Sequence, residues 1–184
     1  MLKTSILGCL SRFKRDRRGV SAVEFAFVAP VMIGLYLGCV EISDGVAADR
    51  KVSLIVDALA NLSAQVTTIS TADMTNILNA SGSIITPYSA NNLKATLSCL
   101  KIDANNNVTV AWSATLNGTA RAVGSSVTIP SALQVPSSQL LFAEASYAYT
   151  PTVGYTITGT LTLSDHMYMA PRIAAPTYNN VACT

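Results

Sequence analysis

One uninterrupted apolar stretch stands out near the start of the chain. Val20 to Val40 is a 21-residue run with a single charged residue, Glu24. At about 1.5 Å per residue, a helix of this length measures about 31 Å, which matches the hydrocarbon core of a bilayer. The apolar core of a secretory signal is usually only about 7–15 residues long. The pattern therefore predicts a transmembrane helix over residues 20–40, with Pro30 inside it.

Beyond this run the apolar residues recur at steps of three and four. The stripe consists of Val52, Ile55, Leu59, Leu62, Val66 and Ile69. This spacing is typical of an amphipathic helix that packs one face on a core. The sequence predicts one long helix from about residue 20 to residue 69. A short second helix is expected over Ala72–Asn79, capped by Ser70 or Thr71 and ended by the Ser-Gly-Ser sequence at 81–83.

The remaining sequence alternates in the manner of β-strands between turn residues. The predicted strands are Leu93–Asp103, Val108–Leu116, Ser126–Ile129, Leu140–Thr150 and Tyr155–Ser164. Asn105–Asn107 and Asn117-Gly118 are turn signals, and the fourth and fifth strands are joined around Pro151–Gly154. Sequential hairpins imply a mostly antiparallel sheet. The expected fold class is α+β, with a long N-terminal helix, transmembrane and then amphipathic, packed on the sheet in a pilin-like arrangement.

Charge is scarce and unevenly distributed along the chain. Charged residues make up 12% of the sequence, against about 25% in an average soluble domain. Six of the twelve basic residues precede residue 20, and without residues 1–19 the formal charge is −3, from 6 basic and 9 acidic residues. The basic pI therefore reflects the leader, and no nucleic-acid partner is expected.

The positive-inside rule places this basic N-terminus in the cytoplasm. We therefore divide the chain into a basic cytoplasmic leader (1–19), a transmembrane helix (20–40), a periplasmic amphipathic helical region (41–80) and a periplasmic β-rich domain (81–184). The expected location is the bacterial inner membrane.

Glu24 is the most informative single residue. A charge at mid-bilayer costs about 2.5–3.5 kcal/mol, so such a residue usually has a partner. The order of basic cluster, Gly19, four residues, Glu24, Phe25 and apolar helix resembles the processing site of type IV prepilins. The resemblance implies that a membrane-embedded prepilin peptidase cuts between Gly19 and Val20, after which the new α-amino group can pair with Glu24 within or between subunits. The alternative is an uncleaved anchor with Glu24 near the headgroups.

Two glycines in the apolar run form a second, weaker signal. Gly34 and Gly38 make a GxxxG pattern, which lets another helix approach closely. Because glycine is common in membrane helices, the alternative is that neither glycine has a packing role.

The four cysteines fall in different compartments of this arrangement. Cys9 lies in the leader and Cys39 in the span, whereas Cys99 and Cys183 lie in the exported part, where oxidation is permitted. A Cys99–Cys183 bridge is favoured over two free thiols. No paired CxxC is present, so neither a zinc site nor a thioredoxin-like motif is indicated.

No enzymatic constellation is evident, and no catalytic residue, metal or cofactor is expected. His166 follows Ser164 and Asp165, but adjacent residues on a strand point to opposite faces and do not converge. Glu144 is a lone carboxylate in its strand, expected to be unpaired and solvated. Neither a Gly-rich phosphate loop nor metal-ligand spacing occurs.

Taken together, the region from Arg17 through Ala26 and the apolar run with Pro30 resemble the TadE-like family of tight-adherence (Flp, type IVb) pilus proteins. The resemblance extends to Ile69–Leu78 and Leu163–Arg172. It implies a processed pseudopilin that takes part in pilus assembly and cell adhesion. The implied partners are the inner membrane, the prepilin peptidase, and other pilus or pseudopilin subunits with their assembly machinery.

Two other functions remain open. One is an unprocessed single-pass protein with a periplasmic binding or scaffold domain. The other is a secreted hydrolase behind a signal anchor, for which the sequence offers no convergent polar cluster.

Overall fold

The computed structural model describes residues 18–151 and 159–183. The leader before Arg18, with Cys9, lies outside the described residues, as do residues 152–154 of the predicted connection and 155–158 of the predicted fifth strand. The chain forms two compact units, Met1–Ile42 and Ser43–Thr184. Helix α1, Arg18–Ala64, contributes residues to both.

α1 ends five residues earlier than the apolar stripe predicts. After Ala64 the sequence contains Thr67, Thr68 and Ile69, whose β-branched side chains favour an extended backbone. Thr68–Ile69 forms the short strand β1, which pairs in parallel with β6, Thr177–Tyr178. The prediction that Ile69 belongs to the helix is therefore wrong, although Ile69 is buried.

Helix α2, Thr71–Ser83, begins at the predicted cap. The Ser70 hydroxyl accepts a hydrogen bond from the Asp73 backbone N–H at 3.1 Å, and the Asp73 carboxylate accepts the Ser70 N–H at 3.2 Å. The helix continues past Asn79, contrary to the prediction, because its last turn lies against the sheet. A Cβ on Gly82 would lie 3.2 Å from the Leu116 side chain, so a larger residue there would require that side chain to shift by a few tenths of an ångström.

A four-stranded antiparallel sheet forms the other layer of the second unit. Its order is β3-β2-β4-β5, and its strands are β2 (Leu93–Ile102), β3 (Val108–Leu116), β4 (Ser138–Tyr149) and β5 (Leu161–Met169). Short 3-10 helices occupy Ala90–Asn92 and Ser131–Leu133. Asn106 and Asn117 adopt positive φ at the predicted turns. The predicted α+β class is confirmed.

Two strand predictions are wrong in detail. Ser126–Ile129 is not a strand: Ser126 makes only an isolated bridge to Thr109, and the segment is followed by Pro130, which has no N–H to donate. β5 runs to Met169, five residues beyond the predicted end at Ser164. Its later residues Met167 and Met169 pack against the core, which extends the strand.

The main core lies between the amphipathic part of α1 and the inner face of the sheet. Val52, Ile55 and Leu59 belong to the same cluster of buried residues as Leu97 and Trp112. The predicted alternation along β4 is confirmed. Its buried positions are Ala143, Ala145, Tyr147 and Tyr149. Its more exposed positions are Glu144, Ser146, Ala148 and Thr150.

The outer face of the sheet is covered at one end only. A second apolar cluster lies on that face, and it includes Ile129 of the connection between β3 and β4. Val127 and Leu133 of the same connection pack against this cluster. The strand residues of this cluster are Leu100, Ile102, Val108, Val110, Leu140 and Phe142.

The C-terminal segment Ala170–Cys183, here called the C-terminal strap, joins several elements of this unit. Arg172 donates its backbone N–H to the Ala64 carbonyl at 3.0 Å and its guanidinium to the Asn61 amide oxygen at 2.7 Å. Further along, the Trp112 indole N–H donates to the Pro176 carbonyl at 3.0 Å. The strap therefore connects the end of α1 to the sheet.

Candidate functional sites

The first part of α1 is apolar and uncovered. Among the described residues, this helix alone is long and apolar enough to cross a membrane, and none of its most apolar window is buried. Its exposed large side chains include Val23, Phe25, Phe27, Val31, Met32, Ile33, Leu35 and Tyr36. Exposing apolar surface to water costs about 25 cal/mol per Å². In lipid, a helix forms the hydrogen bonds of its backbone N–H and C=O groups within itself. This part of α1 is therefore suited to a bilayer.

The residues of the predicted processing site lie in the first turns of α1. Gly19, Val20 and Glu24 are all exposed. Val20 and Glu24 are four residues apart on the helix, which puts them on the same face about one turn from each other. The carboxylate is thus close to the peptide bond that the prepilin resemblance assigns for cleavage.

Gly34 and Gly38 also share a face of α1. Among the described residues, and apart from the surrounding turns of the helix itself, no atom lies within 4 Å of a Cβ built on either glycine. Within the described structure nothing therefore requires a glycine at these positions. Their surface remains open to another helix, and the packing role stays a prediction.

Residues 19–57 match the family of TadE-like proteins. The chain is TadE-like over these residues. The TadE-like segment comprises the uncovered apolar part of α1, with the three residues of the predicted processing site, and continues into the amphipathic stripe. The match confirms the part of the sequence resemblance that lies within residues 19–57. No curated protein and no solved structure matches the chain.

Cys99 and Cys183 form a disulfide bond, with their Cα atoms 6.0 Å apart. Both residues are buried. The bond attaches the end of the C-terminal strap to β2, on the inner face of the sheet.

Glu144 is not the unpaired, solvated acid that the sequence predicts. Its two carboxylate oxygens accept hydrogen bonds from Arg121 Nε at 2.8 Å and Nη2 at 2.6 Å. The same guanidinium lies 5.2 Å from the centroid of the Phe142 ring, a cation–π distance. The hydrogen bonds from Arg121 to Glu144 raise the pKa of the Arg121 guanidinium. Sequence reasoning missed the pair because Arg121 lies in an irregular connection, 23 residues away.

Asp165 and His166 lie on opposite faces of the sheet. In the register of β4 and β5, His166 lies opposite Glu144 and Ser164 opposite Ser146, whereas Asp165 lies opposite Ala145 on the other face. The Asp165 carboxylate accepts the backbone N–H of His166 at 2.8 Å, not its imidazole. A serine–histidine–aspartate arrangement is therefore not built here.

His166 belongs instead to an aromatic cluster on the outer face. Its ring centroid lies 5.9 Å from that of Phe142 and 5.6 Å from that of Tyr168. Phe142 and Tyr168 stack in parallel with centroids 4.5 Å apart. Burial, and then the nearby Glu144 charge, raises the pKa of the Tyr168 hydroxyl. These contacts fix the rings beside the Arg121–Glu144 pair.

Proposed function

We propose that this protein is a pilin-like (pseudopilin) subunit or assembly factor of a tight-adherence type IVb pilus. The observation that carries the proposal is the match of residues 19–57 to TadE-like proteins, over a helix whose apolar first part is uncovered. Neither a metal, a cofactor nor a chemical reaction is part of this function. The domain acts by structure and by contact with other subunits.

In this proposal residues 20–40 cross the inner membrane, with the leader in the cytoplasm and the β-rich domain in the periplasm. Six basic residues precede the apolar run, and basic residues are retained on the cytoplasmic side. The Cys99–Cys183 disulfide supports the same orientation, because the bacterial periplasm is oxidising.

A prepilin peptidase then removes the leader between Gly19 and Val20. The new α-amino group of Val20 starts the helix, and Glu24 lies on the same face. In the bilayer the two charges stabilise each other, within one subunit or between neighbours, since neither is tolerated alone in an apolar medium. Gly34 and Gly38 provide a surface for close approach of a neighbouring helix.

The second candidate is an unprocessed membrane-anchored scaffold or binding domain. One observation favours it: Gly19 and Val20 are both helical residues of α1, so the bond between them lies inside a helical turn. A peptidase has to unwind that turn before it can cut. The pseudopilin function is preferred because the second candidate gives no reason for an acid at position 24.

Replacing Glu24 by Gln tests the assembly role. In a strain that makes the pilus, we expect Glu24→Gln to reduce surface pili by at least about tenfold, because breaking a buried ion pair costs about 3–5 kcal/mol. Pili are measured by immunoblot of the sheared surface fraction, with the membrane level of the protein measured in parallel.

Glu41→Gln is the matched control, since it removes an acid from the same helix beyond the apolar run. We expect it to leave the pilus yield close to that of the unmodified protein. Normal piliation by Glu24→Gln at normal protein level would contradict the proposed role of Glu24.

A further inference from the structure

Three tyrosines hold one end of the sheet at a defined position along α1. The Tyr88 hydroxyl donates a hydrogen bond to the Asp44 carbonyl oxygen at 3.0 Å, and a Cβ on Gly45 would lie 3.7 Å from the Tyr149 ring. The centroid of the Tyr88 ring lies 6.2 Å from the ring centroids of both Tyr147 and Tyr149. This end of the sheet is therefore held at the level of Asp44 and Gly45.

The position of Asp44 along α1 determines its distance from the apolar run. Asp44 follows Val40, the last residue of the run, by four helical residues, which correspond to about 6 Å. The hydrocarbon core of a bilayer is about 30 Å thick and the whole bilayer about 40–45 Å, so each headgroup layer measures about 5–8 Å. When residues 20–40 fill the hydrocarbon core, Asp44 lies within the headgroup layer.

The surface around the tyrosines suits such a layer. Residues 84–93, 147–151 and 159–163, here called the tyrosine end, carry no charged side chain, and their polar side chains are hydroxyls and amides. Leu161 lies opposite Tyr149 in the register of β4 and β5, and its side chain is 44% exposed. Ser89, next to Tyr88, is also exposed. The boundary between acyl chains and headgroups accommodates apolar surface that carries uncharged polar groups.

We propose that the tyrosine end rests on the headgroup layer of the phospholipid bilayer that α1 spans. Leu161 and Ser89 contact lipid there, while the tyrosine rings hold the sheet at that height. Asp44 and Lys94, one acid and one base, border the tyrosine end, and the polar headgroup layer accommodates both charges. This contact rests on the proposed function, in which residues 20–40 cross the membrane, and it adds a lipid-binding surface to the β-rich domain.

The same domain offers a matched position far from the bilayer. Ile173 is 73% exposed and follows Arg172, whose backbone N–H donates to the Ala64 carbonyl. Ala64 lies 20 residues beyond Asp44 on α1, which is about 30 Å along the helix. Ile173 is therefore an exposed aliphatic residue well outside the headgroup layer.

Electron paramagnetic resonance of nitroxide labels tests the proposal in vesicles of phosphatidylethanolamine and phosphatidylglycerol. The full-length protein carries Cys9→Ser and Cys39→Ser, so that only an introduced cysteine is labelled and the Cys99–Cys183 disulfide remains. The measured quantity is the ratio of the label's accessibility to molecular oxygen, which concentrates in the bilayer, to its accessibility to a water-soluble nickel chelate. Circular dichroism checks the folding of every variant. The labelled variants are Leu161→Cys, Ser89→Cys, Ile173→Cys and, within the span, Ile33→Cys.

We expect the accessibility ratio at Leu161 and Ser89 to exceed that at Ile173 several-fold and to lie below that at Ile33. Equal ratios at Leu161, Ser89 and Ile173, with a high ratio at Ile33, would overturn the lipid contact and leave the membrane span intact. Poor access of both reagents to Leu161 and Ser89 would also overturn it, because a protein surface would then cover this end. A low ratio at Ile33 would contradict the membrane span itself, and the lipid contact with it.

Discussion

Ser70 and Asp73 determine where α2 begins. Each side chain accepts a hydrogen bond from the other residue's backbone N–H, and the Ser70 hydroxyl also donates to the Asp73 carboxylate at 2.7 Å. Two of the N–H groups that every helix start leaves unpaired are satisfied in this way. The hydrogen bonds from Ser70, first its side chain and then its backbone, lower the pKa of Asp73 below its usual value of 3.8.

We predict that Ser70→Ala lowers the free energy of unfolding by about 1 kcal/mol, the usual effect of losing an N-cap. The measurement is urea unfolding of the protein in micelles, monitored by circular dichroism. Ser89→Ala is the control, because Ser89 precedes a 3-10 helix without a side-chain capping bond. Equal effects of the two variants would contradict a specific capping role for Ser70.

Acid should weaken the same cap. Because the folded-state pKa of Asp73 lies below its unfolded value, its contribution is present above about pH 4 and is lost as the pH falls through the folded-state pKa. We expect Ser70→Ala to show a smaller loss of stability between pH 5 and pH 2 than the unmodified protein. Parallel pH profiles for the two proteins would contradict this linkage.

Among the secondary-structure elements, α1 combines an uncovered apolar first part with an amphipathic later part. Its later part is amphipathic: Leu59 is fully buried against the sheet, whereas Leu54 is 55% exposed. Deleting a buried leucine side chain leaves a cavity, while an exposed position tolerates the same change.

We therefore predict that Leu59→Ala lowers the free energy of unfolding by about 2–5 kcal/mol. Leu54→Ala on the same helix should change it by no more than about 0.5 kcal/mol. Urea titration of both variants provides the comparison. Similar losses from both would mean that the helix does not pack on the sheet through the Leu59 face.

The elements that could be predicted from sequence are those governed by local periodicity. The stripe of α1 from Val52 to Leu59, the cap at Ser70 and the alternation of β4 all follow from spacing along the chain, whereas Leu62 of the predicted stripe is exposed. The end of α1 could not be predicted, because Ile69 fits the helical stripe and its strand pairing depends on Tyr178, more than a hundred residues later. The Arg121–Glu144 pair could not be predicted either, because it depends on the path of the β3–β4 connection.

For the molecule as a whole, the C-terminal strap and its disulfide connect distant parts of the sequence. Cys99 and Cys183 are 84 residues apart. In the chain-entropy description, closing a loop of that length lowers the conformational entropy of the unfolded chain. This raises the free energy of the unfolded state by about 4 kcal/mol. The strap also contacts the end of α1 through Arg172.

We predict that Cys183→Ser lowers the free energy of unfolding by about 2–4 kcal/mol. A reducing agent should destabilise the unmodified protein similarly and have no further effect on this variant. Cys39→Ser is the control that retains the disulfide. Urea unfolding with and without reductant makes the test, and insensitivity of the unmodified protein would contradict a stabilising bridge.

The central proposal is that this protein, which is TadE-like over residues 19–57, is a processed membrane subunit. Its most direct test is the intact mass and N-terminal sequence of the membrane-extracted protein, from cells with and without the prepilin peptidase. The account predicts a chain that starts at Val20 only when the peptidase is present, and at Met1 when it is absent. A start at Met1 in both strains would contradict processing and favour the unprocessed anchored scaffold.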